Sequence, residues 1–317
     1  MSTDTEIRVK RSRSFDSLYS AINDMGEVKG SQKTYEPKEL IGIIDEVRQG
    51  KIGLNYVTST AGLRDKVKEI LGNELVEKSK NLKDLYQGLR TIGDVKGSQG
   101  NYSTGEMIGI IEMAKEGKVP INTVTKNYGL REKVFDILTD FKDELSEKGY
   151  EKHSVFMRKN LDKLRVAEGF KLHVTSDHYH LRQVEEAVLP ILEKHGVAHK
   201  IVDSGRDMLG KMTGSQEGKF ITIYPNNDEE LKAIAKEVDE ALTKHNLINA
   251  GPKIKNDAQV PGNKSGMVFY TYAGHTRDWI TGPKGEKVVE YNQQRRDGKV
   301  PPVPDWIQDP FKKKEKK

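Results

Sequence analysis

Apolar positions in the first half of the chain recur at helical spacing. Leu40, Ile43, Ile44 and Val47 share one face of a helix that follows Pro37, a residue suited to a first helical turn. A second short helix follows Gly62 and carries Leu63, Val67, Ile70 and Leu71. The pattern then returns. Phe15-Asp16-Ser17-Leu18-Tyr19 recurs as Leu82-Lys83-Asp84-Leu85-Tyr86, and Gly26-Glu27-Val28-Lys29-Gly30-Ser31-Gln32 as Gly93-Asp94-Val95-Lys96-Gly97-Ser98-Gln99. Gly62-Leu63-Arg64 likewise returns as Gly129-Leu130-Arg131, at a constant offset of 67 with no gap. The first half therefore reads as an all-α duplicated repeat, over 14–75 and 81–140. A disordered 1–13 precedes it, and a charged linker with helix-forming runs follows over 141–169.

After Gly169 the periodicity changes. Strand-like runs appear at 170–174, 198–202, 219–224 and 267–272. Helical patterns lie between them, one through Val184, Ala187, Val188, Ile191 and Leu192, another through Leu231, Ile234, Val238 and Leu242. Strands interleaved with amphipathic helices predict an α+β or α/β domain.

The chain has 317 residues, 35% hydrophobic and 32% charged, enough for two ordinary domains. No apolar run is long enough to span a bilayer, which argues against a membrane partner. The first residues show no secretory signal pattern, so the expected location is the cytoplasm, or a host cell reached by a specialised export route. With no cysteine, thiol chemistry, disulfides and Cys-ligated zinc are excluded. The net charge of +5 is modest, and Lys312 to Lys317 read as a basic tail.

Several motifs invite chemical readings. In the Lys-Gly-Ser-Gln-x-x-Tyr segments, Gly30 and Gly97 allow a tight turn that Tyr35 and Tyr102 pack down. Backbone phosphate binding there lacks P-loop spacing and a preceding strand. The Gly-Leu-Arg bend resembles a helix-turn-helix, but mixed charge on both candidate helices argues against nucleic acid. A protein partner suits the repeats better. Asp177, His178 and His180 read as a helix start rather than a metal site, and no metal or cofactor is expected.

The second half carries a more specific signal. In order it holds Lys171-Leu172-His173-Val174, His199-Lys200-Ile201-Val202, Gly218-Lys219-Phe220-Ile221-Thr222-Ile223-Tyr224-Pro225, a Gly-Pro-x-Ile-x-x-Asp segment at 251–257, Phe269-Tyr270-Thr271-Tyr272-Ala273-Gly274, and Val303-Pro304-Asp305-Trp306. From Phe170 to Phe311 this resembles the N-terminal lyase domain of class III and class IV lanthipeptide synthetases, itself similar to the bacterial phosphothreonine lyase effectors. The resemblance implies β-elimination of phosphate from phosphothreonine or phosphoserine. It assigns Lys200 as the base for the Cα proton, His173 as the acid for the leaving phosphate, and Tyr224 as a residue near that group. A base lysine needs its pKa lowered by burial or by neighbouring cations. Lys171 shares a strand face with His173 and would bind phosphate. Arg206, Lys211 and Lys219 lie where the family places basic phosphate ligands. The chain departs from the family in one place: the strand that carries an Arg beside a Tyr reads Thr271-Tyr272-Ala273-Gly274, and Arg277 in the following loop is the substitute the sequence offers.

The function expected is a phosphothreonine or phosphoserine lyase acting on a phosphorylated protein or peptide, with the repeats recruiting the target. With no kinase following, as one does in the synthetases, an effector that acts on host kinases is the leading setting. A lyase of lanthipeptide biosynthesis and a catalytically impaired phosphopeptide-binding module are the alternatives. A scaffold role for the repeats alone would leave Lys171, His173, Lys200 and Tyr224 without a reason to occur together.

Overall fold

The computed structural model describes residues 3–30, 33–97, 100–164, 168–210, 212–274 and 285–312. The chain divides into two compact units: 1–112 with 122–137, and 113–121 with 138–317.

The first unit is built from α1 (Thr3–Arg11), α2 (Phe15–Met25), the hairpin β1 (Val28–Lys29) and β2 (Thr34–Tyr35), α3 (Pro37–Arg48) and α4 (Leu63–Lys78). The order repeats in α5 (Leu82–Ile92), β3 (Val95–Lys96) with β4 (Asn101–Tyr102), α6 (Thr104–Lys115) and α7 (Leu130–Leu138). Each repeat thus holds a short antiparallel hairpin, where the sequence predicts helices alone. Within the 1–13 expected to be disordered, Thr3–Arg11 instead form α1, and Val9 on it is buried. Its place in the pattern explains this. At the 67-residue offset α1 corresponds to the second half of α4, with Val9 matching the buried Val76. Ser12 Oγ donates to Arg8 O at 3.0 Å, and Ser79 Oγ donates to Leu75 O at 2.7 Å. Other bonds recur at the same offset. Tyr19 and Tyr86 donate to the carboxylates of Asp45 and Glu112, and Arg64 and Arg131 donate through Nε to the carbonyls of Val57 and Val124. The Arg of the Gly-Leu-Arg motif therefore satisfies a loop carbonyl, and Tyr35 and Tyr102 lie against Gly30 and Gly97 so closely that a Cβ would not fit.

The second unit contains a seven-stranded antiparallel sheet. Its elements are α8 (Lys142–Glu147), β5 (Glu151–His153), β6 (Phe156–Lys159), β7 (Glu168–Thr175), α9 (Leu181–His195), β8 (Ala198–Val202), α10 (Gly205–Gly210), β9 (Lys219–Tyr224), α11 (Asp228–Lys244), β10 (Ala258–Gln259), β11 (Val268–Gly274) and α12 (Gly285–Arg296). Across the sheet the order is β10-β11-β7-β9-β8-β6-β5. β9 is buried throughout, as the central strand should be, while the edge strand β5 is exposed along its length, with Glu, Lys and His to discourage pairing. α9 and α11 pack against each other, burying Val184, Val188, Leu192, Ile234 and Val238.

The expected linker at 141–169 is part of this unit. β6 pairs with β8 in antiparallel register, Arg158 opposite Lys200, so the sheet begins well before residue 170. Phe141 is fully buried, lies 5.9 Å from Phe220 between ring centroids, and donates its N–H to Asp203 O. No helix among the described residues is long and apolar enough to cross a membrane.

Because Phe141 is core, Phe141→Ala is expected to cost about 3–5 kcal/mol in urea denaturation of the second unit. A cost below about 0.5 kcal/mol, the value for an ordinary surface site, would return the segment to a linker.

Candidate functional site

One face of the sheet carries the candidate residues. Antiparallel pairing sets Arg158, Lys200, Thr222, His173 and Phe269 abreast on β6, β8, β9, β7 and β11. One pleat away lie Ala198 opposite Tyr224, and Lys171 opposite Thr271. Alternation puts Lys171 and His173 on the same side, as do Thr222 and Tyr224. Lys219 is three residues from Thr222, so strict alternation would place it on the other side. The ladder slips there: Val174 faces Ile221 and Thr175 faces Lys219, leaving Phe220 as the extra residue of a bulge. Gly218, at φ +77°, starts this bulge, and Lys219 reaches the same pocket as Thr222 and Tyr224.

These side chains line a cavity of about 170 Å³ together with Asn292, Arg295 and Arg296 of α12. Among the residues expected from sequence, Lys171, His173, Lys200, Lys219 and Tyr224 meet here. Arg206 does not. It is exposed on α10 and absent from the pocket wall, because the short helix after β8 carries it elsewhere. Lys211 and Arg277 lie outside the described residues.

Asp257 organises the pocket. Its carboxylate is fully buried, with Oδ2 2.7 Å from His173 Nδ1 and 3.2 Å from Lys219 Nζ, and Oδ1 accepting from Arg295 Nη1 at 3.0 Å. The His173 contact is close but out of line for a straight hydrogen bond. Burial alone would raise the Asp257 pKa, but His173, Lys219 and Arg295 outweigh it and hold the carboxyl below its ordinary range. The Gly-Pro-x-Ile-x-x-Asp segment is fastened to the end of β7. Thr175 Oγ1 donates to Pro252 O and Asp177 N–H to Ala250 O, while a Cβ on Gly251 would stand 2.9 Å from the Ser176 backbone. Only glycine permits that approach, and the approach brings Asp257 under His173.

The cations outnumber this one carboxylate. Burial, then Lys200, Lys219, Arg295 and Arg296, lower Lys171 to about 7. Lys200, lowered by burial, Arg158 and Lys219, falls to about 8, with Nζ 3.7 Å from the centroid of the Phe156 ring. Burial and then Arg295 lower Lys219, against the pull of Asp257. His173 is pushed down to about 3 by burial and Lys219, so its imidazole is neutral in the empty pocket. Burial raises Tyr224 to about 12, keeping its phenol a donor. Among the described residues no carboxylate pairs with Lys171 or Lys200; Lys171 Nζ lies 5.2 Å from the Tyr224 ring centroid instead. The pocket can therefore hold a multiply charged anion between a weakly basic lysine and a histidine.

Asp257, Asn292, Arg295 and Arg296 were missed as site residues from sequence. Asp257 had a signal, the fixed Gly-Pro segment ending in it. The α12 residues had none, because only tertiary packing brings them in.

Comparison with known proteins gives two matches. The Probable SapB synthase of Streptomyces coelicolor is 27% identical over 160 residues, a stretch covering 45% of this chain and 16% of that protein. The chain thus spans a small part of that relative. A family model described as RamC, N-terminal domain, matches residues 143–317. Both matches support the relation to lanthipeptide synthetases, and the family match starts at α8, as the sheet's membership requires. Covering more than half of the chain and every described pocket residue, the match shows that this protein belongs to the family of the RamC N-terminal domain.

Proposed function

We propose that the pocket eliminates phosphate from phosphoserine or phosphothreonine in a peptide of the lanthipeptide-precursor type. The observation that carries this is the register of Lys200, Thr222 and His173 on three adjacent strands of a cation-lined face. Lys200 and His173 are two strand spacings apart, roughly 10 Å between backbones. That leaves room for one phosphorylated residue between the two side chains. The effector setting expected from sequence draws no support from the matched relatives, which favour its lanthipeptide alternative. The helical repeats remain the part available for recruiting the peptide.

In the proposed reaction neutral Lys200 removes the Cα proton. The electron pair forms the Cα=Cβ bond as the Cβ–Oγ bond breaks, and His173 delivers a proton to the departing phosphate. Lys171 and Lys219 hold the phosphate oxygens, and Tyr224 donates to them. Bound phosphate brings negative charge beside Lys219, the cation most opposed to a protonated His173. Substrate thereby raises the histidine toward the form that acts as acid, with Asp257 stabilising its other nitrogen.

Incubation with phosphothreonine and phosphoserine peptides, followed by mass, tests the reading. The expected loss is the elements of phosphoric acid, falling by about 10²–10⁴-fold in Lys200→Ala and in His173→Ala. Loss of only the phosphoryl group, with the hydroxyl retained, would mean hydrolysis and sink the lyase. kcat/KM should rise with pH through about 8 as Lys200 loses its proton. Arg158→Gln removes one of the cations that depress it, so that limb should move to higher pH; an unmoved limb would assign the titration to another group. Lys171→Met should weaken phosphate binding yet raise the melting temperature. The folded pKa lies below the unfolded one, so the cation's cost is full below pH 7 and fades as pH rises toward 10.5. The stabilisation should be larger at pH 6 than at pH 9; equal gains at both would exclude a charge origin.

A further inference from the structure

We infer that α12 completes the substrate site: Arg295 and Arg296 hold the phosphate where β11 offers no cation, and Asn292 takes a peptide group beside the phosphorylated residue. This rests on reading the pocket as a phosphopeptide site.

β11 presents Thr271 and Ala273 to the cavity, both small and uncharged. The Thr271 hydroxyl is already committed to Pro302 O. A long basic side chain on this strand would fill the space in which α12 lies, because α12 packs on β11. The inward face of α12 reads Val288, Tyr291, Asn292 and Arg295, at helical spacing. The first two are what a packed helix face calls for. The last two are not: each is only 6% exposed, and each lines the cavity.

Each keeps one polar atom without a hydrogen-bond partner among the described residues: Asn292 Oδ1 and Arg295 Nε, both buried. Arg295 spends Nη1 on Asp257 Oδ1 and Asn256 O, which fixes the guanidinium beside the cavity that the residue lines. Buried polar groups without partners are rare unless a ligand supplies the bond. The two orphans differ in kind. Arg295 offers N–H donors on a fixed cation, suited to phosphate oxygens. Asn292 offers an acceptor and donors on one planar amide, the complement of a peptide bond and of little use to phosphate. Arg296, exposed at the rim, adds a second guanidinium that a phosphate at the mouth can reach.

The test uses the full chain carrying Lys200→Met, which blocks turnover, and calorimetric titration with inorganic phosphate and with a phosphothreonine peptide blocked at both ends. Arg296→Gln should weaken both ligands by roughly tenfold, the loss of one charge-assisted contact. Asn292→Ala should weaken the peptide by about tenfold and leave phosphate unchanged, so retained phosphate binding also reports a folded pocket. Asn292→Leu, which keeps the packing volume, should behave alike. Unchanged phosphate affinity in Arg296→Gln overturns the phosphate assignment. Equal weakening of both ligands, or of neither, in the Asn292 variants overturns the peptide assignment. The two proposals fail separately. Binding of both ligands without any mass change in the parent chain removes elimination and keeps α12. Elimination that survives unaltered in the α12 variants removes α12 and keeps the lyase.

Discussion

One buried carboxylate, that of Asp257, sets the electrostatics of the pocket. The Asp257 side chain has no exposed surface and stays ionised because His173, Lys219 and Arg295 converge on it. The dependence runs both ways. Lys219 and Arg295 are themselves buried, and a buried cation without a partner is costly. Yet one carboxylate cannot balance Lys171, Lys200, Lys219, Arg295 and Arg296. Burial and then the neighbouring cations lower both unpaired lysines, and on the proposed reading an anion from outside relieves the excess charge. The pocket is thus stable enough to form and polarised enough to bind.

Backbone features make this convergence possible. The antiparallel register lines up residues from five strands, but alternation alone would have sent Lys219 to the opposite face. The bulge at Phe220 corrects that and leaves Phe220 free to pack on Phe141. Gly251 lets the 250–257 segment touch the end of β7, which carries Asp257 to His173. Small residues on β11 do the same for α12. Each of the side chains that meet at the carboxylate comes from a different element, so the site exists only in the folded sheet.

This explains which parts were legible in the sequence. Lys171, His173, Lys200 and Tyr224 lie within short strand-like runs, where period two puts Lys171 and His173 on one face, while their roles rest on the family resemblance. Asp257 was visible as the end of a motif, but its contact with His173 spans 84 residues of chain and has no local trace. Arg295 and Asn292 sit in a helix of Glu, Lys, Gln and Arg that reads as a solvated surface. The edge strand β5 and its neighbour β6 were hidden because charged residues such as Glu151, Lys152 and Arg158 mask the pattern that a buried strand shows. α1 was hidden for a related reason: Val9 is its one buried anchor among the residues whose side chains are described. The 67-residue offset does reach it, through Ser12 and Ser79, once the repeat is started at the helix rather than at Phe15.

The two lowered lysines pose a question of assignment, because Lys171 has the lower value yet Lys200 is the proposed base. Under the proposed reaction the two differ in which neighbours depress them. Burial and then four cations depress Lys171, and three of the cations, Lys219, Arg295 and Arg296, are proposed ligands of the phosphate. Coulomb energies scale inversely with distance, and unit charges about 4 Å apart interact by roughly 4 kcal/mol in a partly screened site. A phosphate seated among those three cations cancels their repulsion and adds its own attraction, so Lys171 regains its proton and becomes a ligand. Lys200 is depressed by burial and by Arg158 before Lys219, and it faces Phe156 rather than the Asp257 cluster. Fewer of the proposed phosphate ligands act on it, so on that reading binding changes it less. On the proposed reading, the lysine that is easier to deprotonate in the empty pocket is therefore the one that binding recharges, and Lys200 remains the base.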